Sequence, residues 1–176
     1  MENNLPIVYI SVLLILLVSS SWFLIQQILK TRKVESKFSK LQTKLKQEKG
    51  MAEDYYELGS IYLDKRMFVQ SLGLFQKAMK AGTDLAPENL ALIYNGLGFA
   101  HFSQEQYDLA IRQYKEALKL NPEYVVALNN LAFAYEKKQL TNQALQTYEE
   151  VLKYDANNST AKGRVESLRK RFIPSN

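Results

Sequence analysis

The 176-residue sequence contains no cysteine and a single histidine, His101. Without thiols the chain cannot form disulfides, thiolate zinc sites or iron–sulfur clusters, and it has no cysteine nucleophile. It also lacks a phosphate-cradling glycine loop, a cluster of metal-ligating residues and a nucleophile motif. We therefore expect a protein that is not an enzyme and that uses no cofactor or metal.

The excess of positive charge is confined to one short stretch. The chain has a net charge of +5, but residues 30–50 contain eight lysines and arginines and only two glutamates, a net of +6. Once Glu2 is counted, residues 51–176 are neutral. Binding to a nucleic-acid duplex needs a concentrated basic face on the folded domain. We therefore expect no nucleic-acid partner.

A long uncharged run fills the N-terminal end of the chain. No charged residue occurs from Asn3 to Leu29, and residues 5–29 are mainly apolar. As a helix this segment would measure about 37 Å, enough to cross a hydrocarbon core of about 30 Å. Residues 5–29 are therefore predicted to be a transmembrane helix embedded in a lipid bilayer, and residues 1–4 a short tail beyond it.

The basic residues around the apolar run indicate its orientation. Lys30, Arg32 and Lys33 follow the run, whereas a cleaved signal peptide has basic residues before it and a small-residue cleavage site after it. This order favours an uncleaved, single-pass anchor. By the positive-inside rule, the chain from residue 30 onward faces the cytoplasm, or the stroma in a plastid, and residues 1–4 face the lumenal side.

Residues 30–50 keep a helical pattern beyond the apolar run. Val34, Phe38, Leu41 and Leu45 are spaced four, three and four residues apart and form one apolar stripe among lysines. The pattern predicts a basic amphipathic helical stalk that continues out of the bilayer. A helix lying on anionic headgroups and a short coiled coil between two copies fit the same stripe and stay open.

The rest of the sequence is repetitive. Residues 91–124 and 125–158 align without gaps at a period of 34 residues, so that Ala110 matches Ala144 and Tyr114 matches Tyr148. An earlier copy, residues 52–85, is offset by five extra residues, 86–90, which we expect to lengthen the connection between the first two repeats. The period and the alternation of small and large slots resemble the tetratricopeptide repeat (TPR), a helix–turn–helix unit.

A repeat of this kind cannot bury its apolar face alone, so neighbouring units must stack. The last unit needs a helix with a polar outer face, and residues 159–172 have that pattern, with Val165, Leu168 and Phe172 on one side and basic residues on the other. The predicted fold is therefore all-α: one N-terminal transmembrane helix plus a TPR α-solenoid of three repeats over residues 51–158 and a C-terminal capping helix.

The resemblance to TPR proteins implies a concave groove lined by the first helix of each repeat. The slots that line it are unusually apolar here, which is typical of a surface for a protein partner. The phenylalanines could instead pack within the chain, against the stalk or the cap. The predicted groove residues are Tyr56, Leu63, Leu92, Asn95, Phe99, Phe102, Val126, Asn129 and Phe133.

Some TPR proteins hold the C-terminal carboxylate of heat-shock chaperones with basic and amide side chains at five slots. In this sequence those slots contain no lysine or arginine. A chaperone tail bound through such a carboxylate clamp is therefore not expected. The residues at these slots are Tyr56, Ser60, Gly96, Val126 and Asn130.

The whole chain resembles one family, the small thylakoid-membrane TPR proteins of cyanobacteria and algal plastids, a conserved chloroplast reading frame linked to photosystem I assembly. The similarity runs from Leu5-Pro6-Ile7-Val8-Tyr9, through the segment 27–32, to the segments 106–120 and 135–141. It implies an assembly factor that faces the stroma and touches photosystem I subunits or assembly intermediates. A TPR receptor or scaffold for protein import, secretion or envelope assembly in another membrane shares the same plan and stays open.

Overall fold

The structure is a computed structural model that describes residues 5–82 and 85–171. These residues form eight α-helices and no strand, which confirms the predicted all-α class. The predicted tail, residues 1–4, lies outside the described residues. The chain divides into two compact units, Met1–Gln47 and Glu48–Asn176. The helices are α1 Leu5–Gln47, α2 Ala52–Asp64, α3 Phe68–Ala81, α4 Pro87–Ser103, α5 Tyr107–Leu120, α6 Val125–Lys137, α7 Thr141–Tyr154 and α8 Ser159–Lys170.

The described part of the first unit is a single continuous helix. Helix α1 is 43 residues long, about 65 Å at 1.5 Å per residue, and it is long and apolar enough to be a candidate membrane span. No break separates the apolar run from the basic stalk. The hydroxyl of Ser11 donates to the carbonyl of Ile7 at 2.8 Å, and that of Ser19 donates to Leu16 at 3.0 Å. These polar groups are thus satisfied within the helix, as a bilayer requires.

The second unit is a stack of helical hairpins, in which α2 pairs with α3, α4 with α5 and α6 with α7. The turn inside each hairpin has the same backbone conformation. Arg66, Glu105 and Gln139 occupy equivalent places in the three repeats, and their φ angles are 59°, 60° and 59°. This left-handed region favours glycine. Each turn therefore contains a non-glycine residue at a position where glycine would be less strained.

We expected the five extra residues after the first repeat to lengthen the connection to the second repeat, but most of them are helical. Helix α4 begins at Pro87 and has 17 residues, whereas α2 and α6 have 13 each. Proline suits the first helical position because its missing N–H would have no partner there, and Glu88 interacts favourably with the N-terminal end of the helix dipole. Most of the insertion therefore forms an additional first turn of α4.

Small residues bring the two helices of each hairpin close together. Ser71 is fully buried, and its hydroxyl donates to the carbonyl of Gly59 at 2.8 Å. Ala110 and Ala144 fill the equivalent slot in the next two repeats, and both are completely buried. Large side chains then fill the space between hairpins, and the largest of them are Phe75, Tyr114 and Tyr148.

Helix α8 follows the third hairpin and packs against α7. The side chain of Asn158 caps it by accepting a hydrogen bond from the backbone N–H of Ala161 at 3.0 Å. Val165 and Leu168 are buried in the same apolar cluster as Leu131. Phe172, which the sequence places on this apolar side, lies outside the described residues.

Candidate protein-binding groove

The first helices of the hairpins, α2, α4 and α6, are neighbours in the stack, since α4 contacts both α2 and α6. All nine predicted groove residues lie on these three helices. Tyr56 and Leu63 lie on α2; Leu92, Asn95, Phe99 and Phe102 lie on α4; Val126, Asn129 and Phe133 lie on α6.

Aromatic side chains form the middle of this surface. The rings of Phe102 and Phe133 are 5.2 Å apart between centroids, and Tyr107 lies 5.3 Å from Phe102 on the other side. Phe99 is 41% exposed and Val126 is 53% exposed. Such rings gain from offset or tilted contact with further aromatic or apolar groups. The structure therefore places an exposed apolar patch between α4 and α6.

Two cations lie over the Phe133 ring. Lys137 Nζ is 5.4 Å from the ring centroid, and Arg164 Cζ is 5.8 Å from it. Arg164 comes from α8, and its Nε is 3.6 Å from Glu136 Oε1. The sequence pattern of α8 predicts its basic residues on the outer side of the cap, so the contact between Arg164 and Phe133 was not predicted. The repeat period could have predicted this contact, because Arg164 lies 34 positions after Asn130, a residue at one of the carboxylate-clamp slots of the groove.

The asparagines of the groove behave differently from one another. Asn130 Nδ2 donates to Asn95 Oδ1 at 2.9 Å, which links α6 to α4 across the groove. Asn129 Nδ2 instead donates to the carbonyl of Val125 in its own helix at 3.1 Å. The Asn129 Oδ1 atom is buried and has no hydrogen-bond partner among the described residues. Asn95 and Asn130, not Asn129, therefore form the polar link between the lining helices.

A cavity of about 300 Å³ opens between α2 and the lengthened start of α4. Tyr56 and Leu92 meet there, so the structure brings these two predicted residues together. Leu63 is not among the residues that line this cavity, although it packs, like Tyr56, against the cluster around Phe75. The residues around the cavity are Ala52, Glu53, Tyr56, Glu57, Leu85, Asn89, Leu92 and Ile93.

Tyr124 lies just before α6 and interacts with residues of the same surface. Burial raises the pKa of the Tyr124 phenol, and the neighbouring Tyr56 raises it further, while a hydrogen bond with Asn95 acts in the opposite direction. The phenol is therefore neutral at physiological pH and serves as a hydrogen-bonding group, not a charge.

Within the described ranges 5–82 and 85–171, no group of three or more His, Asp or Glu side chains could hold a metal ion. His101 Nδ1 lies 2.7 Å from Gln106 Oε1, across the turn of the second hairpin. This geometry suits a structural histidine that fixes the turn.

Comparison with known proteins defines the class of this fold and surface. Residues 100–139 match the family described as "TPR repeat", and residues 125–158 match "Tetratricopeptide repeat". The crystal structure of MamA superimposes with a TM-score of 0.72 at 19% identity, covering 81% of each chain. The chain is therefore a TPR solenoid, a class of protein-interaction scaffold.

Two relatives define the family more narrowly. The ycf37 protein of Guillardia theta is 35% identical over 173 residues, which cover 98% of this chain and 97% of the relative. The chain belongs to the ycf37 family, and the resemblance seen in the sequence is confirmed. The chloroplastic TPR protein PYG7 of Arabidopsis thaliana is 34% identical over 170 residues, which cover 97% of this chain and 56% of PYG7.

Proposed function

We propose that this protein is a single-pass thylakoid membrane protein whose TPR domain helps to assemble or stabilise photosystem I. Three observations support the proposal: the resemblance of the whole chain to the thylakoid TPR family, a relative described as chloroplastic, and a 43-residue helix with one candidate span. The groove is the interaction surface, and photosystem I subunits or assembly intermediates are its partners.

The charge distribution supports the orientation within the membrane. The basic cluster begins with Lys30, directly after the apolar run, and the opposite flank carries no lysine or arginine. Positive residues are retained on the cytoplasmic or stromal side during insertion. The TPR domain therefore faces the stroma, or the cytoplasm in a bacterium, where newly made extrinsic subunits are available.

The observation that carries the binding proposal is the aromatic patch of Phe99, which is exposed, and Phe102 and Phe133, which are half-buried. Phe102 and Phe133 touch each other, whereas 41% of Phe99 remains open to solvent. Large aromatic side chains supply much of the binding energy in protein interfaces. A partner that covers the patch gains that energy.

The test is affinity purification of the tagged, full-length protein from solubilised photosynthetic membranes. Photosystem I subunits should co-purify with the unchanged protein, and the double variant Phe99→Ser with Phe133→Ser should lose them. A matched control removes apolar groups of similar exposure from the second helices of the hairpins: Val69→Ser on α3 with Leu109→Ser on α5, which are 72% and 38% exposed. The control should retain the subunits.

Two results would count against the proposal. Equal recovery of photosystem I subunits by both double variants would show that the aromatic patch is not the binding surface. Recovery of import, secretion or envelope components in place of photosystem I would show that the anchored scaffold serves another complex. Circular dichroism of each variant checks that its helices are intact.

A further inference from the structure

The TPR domain is neutral overall, but the charge changes from helix to helix along the groove. Helix α2 contains four acidic residues and no basic residue, and α8 contains four basic residues and one acidic residue. With His101 counted as neutral, the formal charges of α2, α4, α6 and α8 are −4, −1, 0 and +3. The helices that line the groove are thus acidic in the first repeat and basic at the cap, and the charged side chains placed at the groove itself are Glu53 and Glu57 at one end and Lys137 and Arg164 at the other.

The acidic end contains the 300 Å³ cavity between α2 and α4. Its lining combines the apolar side chains of Leu85, Leu92 and Ile93 with the carboxylates of Glu53 and Glu57. Lysine and arginine are missing among the residues that line it. Large apolar side chains gain about 1.5–3 kcal/mol when fully buried, and a neighbouring cation would be attracted by the carboxylates. This end fits an apolar side chain next to a lysine or arginine.

The basic end lies around Phe133. Lys137 and Arg164 both approach its ring, at 5.4 Å and 5.8 Å. Glu136 is held in place there, because it accepts a hydrogen bond from the Tyr148 hydroxyl at 2.7 Å and lies 3.6 Å from Arg164 Nε. An arginine that stacks on an aromatic ring can still present N–H groups to a carboxylate. This end fits an acidic side chain beside an apolar one.

We propose that the groove binds a linear segment of its protein partner in one fixed direction, with a basic–apolar pair in the α2–α4 cavity and an acidic residue at Arg164 and Lys137. The inference rests on the proposed function, because it names the chemistry of the partner at the same groove. Two helix spacings of about 8–10 Å separate the ends laterally. The basic end also lies about 11 Å further along the helices at 1.5 Å per residue, because Glu53 and Tyr56 are near the start of α2 and Phe133 and Lys137 near the end of α6. An extended segment at about 3.3 Å per residue therefore needs roughly six or seven residues to span the two ends.

The experiment selects a random peptide library, displayed on phage, against the full-length protein in lipid nanodiscs. Enriched peptides should carry a lysine or arginine beside a large apolar residue, and an aspartate or glutamate roughly six or seven positions away. Synthetic copies are then measured by fluorescence polarisation. Reversing the residue order of a selected peptide should weaken its binding, since the composition is kept and only the direction changes.

Charge variants assign each preference to its end of the groove. Glu53→Gln and Arg164→Gln should each weaken binding about fivefold, and only Glu53→Gln should reduce the preference for a basic residue, because Glu57 still lines the cavity. The matched controls are Glu116→Gln on α5, where Glu116 pairs with Lys119, and Arg169→Gln on α8, where Arg169 pairs with Glu149. Both controls should bind the peptides like the unchanged protein.

Enrichment without charged positions, equal binding of reversed peptides, or no enrichment at all would each overturn the inference. These outcomes differ from failure of the proposed function, because no photosystem component is present in the selection. A further outcome is that the double variant at Phe99 and Phe133 loses photosystem I subunits while Glu53→Gln and Arg164→Gln retain them fully. That result would support the aromatic patch as the binding surface and overturn only the proposed direction of binding.

Discussion

The ring of Phe75 lies directly against the backbone of Gly96. A Cβ built on Gly96 would be 2.7 Å from Phe75 Cζ, closer than real side chains approach each other. Phe75 belongs to the first hairpin and is completely buried, and Gly96 belongs to the first helix of the second hairpin. Contact between the first two repeats therefore depends on a residue without a side chain in the middle of α4.

Replacing Gly96 with alanine is expected to destabilise the solenoid, because the added methyl group must displace a rigid, buried ring. Overfilling a packed contact commonly costs about 1–3 kcal/mol. The matched control is Gly73→Ala on α3, where an added Cβ would meet nothing within 4 Å. Since alanine is the better helix former by about 0.5–1 kcal/mol, that variant should be more stable than the unchanged protein.

Thermal unfolding followed by circular dichroism measures both substitutions. The prediction requires opposite shifts, with a lower midpoint for Gly96→Ala and a higher one for Gly73→Ala. Two shifts of the same sign would mean that helix propensity, and not the approach of Phe75, determines the effect at Gly96.

The repeat pattern predicted the stacked hairpins, because small residues recur where two helices must approach closely. Ala110 and Ala144 recur 34 residues apart, and both are fully buried where two helices touch. The extra turn of α4 was not predicted, since a proline within an insertion is equally compatible with a loop and with a helix start. The length of that helix is determined by packing in three dimensions, which periodicity does not contain.

The candidate groove was predicted less completely than the fold. A repeat slot determines which face of a helix a residue occupies, but not where a long side chain ends. Arg164 was therefore placed on the outer side of α8, although its guanidinium reaches Phe133. Asn129 occupies the same slot as Asn95, but the slot that Asn130 fills for Asn95 is filled by Arg164 for Asn129, and Asn129 hydrogen-bonds its own helix.

The hairpin turns offer a way to stabilise the protein. Gln139 has a φ of 59°, a conformation that costs a residue with a Cβ about 1–2 kcal/mol. Glycine avoids this cost but loses about 0.5–1 kcal/mol of additional backbone entropy on folding. Gln139→Gly should therefore gain up to about 1 kcal/mol, which raises the melting midpoint by several degrees.

Gln139→Ala is the comparison, because alanine keeps the Cβ and removes the rest of the side chain. It should unfold at about the same temperature as the unchanged protein. A midpoint for the glycine variant at or below that of the alanine variant would be inconsistent with strain at this turn.

The buried tyrosines predict a loss of stability in alkaline solution. Burial raises the pKa of Tyr114 and of Tyr148 above the ordinary value of 10.0, and the hydrogen bond from Tyr148 to Glu136 raises its pKa further. In the unfolded chain these phenols ionise near pH 10, whereas the folded state keeps them protonated. The stabilisation is therefore fully present below pH 10 and falls as the pH rises above it.

Urea unfolding at several pH values between 9 and 11 tests this dependence, with both tyrosines replaced by phenylalanine in a second protein. The free energy of unfolding should fall less steeply with pH in the double variant. Tyr148→Phe alone should also cost about 0.5–1.5 kcal/mol at neutral pH, because Glu136 loses a hydrogen-bond donor. Parallel pH curves for the two proteins would contradict the assignment to these phenols.

The proposed orientation in the membrane can be tested by labelling an introduced cysteine. The sequence has no cysteine, so an introduced thiol is the only one in the chain. Glu123 is exposed between α5 and α6, so a membrane-impermeant maleimide added to the stromal face of sealed membranes should label Glu123→Cys rapidly. Asn3→Cys, on the far side of the proposed span, should react only after detergent opens the membrane. The reverse pattern would place the TPR domain in the lumen, and labelling of both thiols in sealed membranes would mean that the apolar helix does not cross the bilayer.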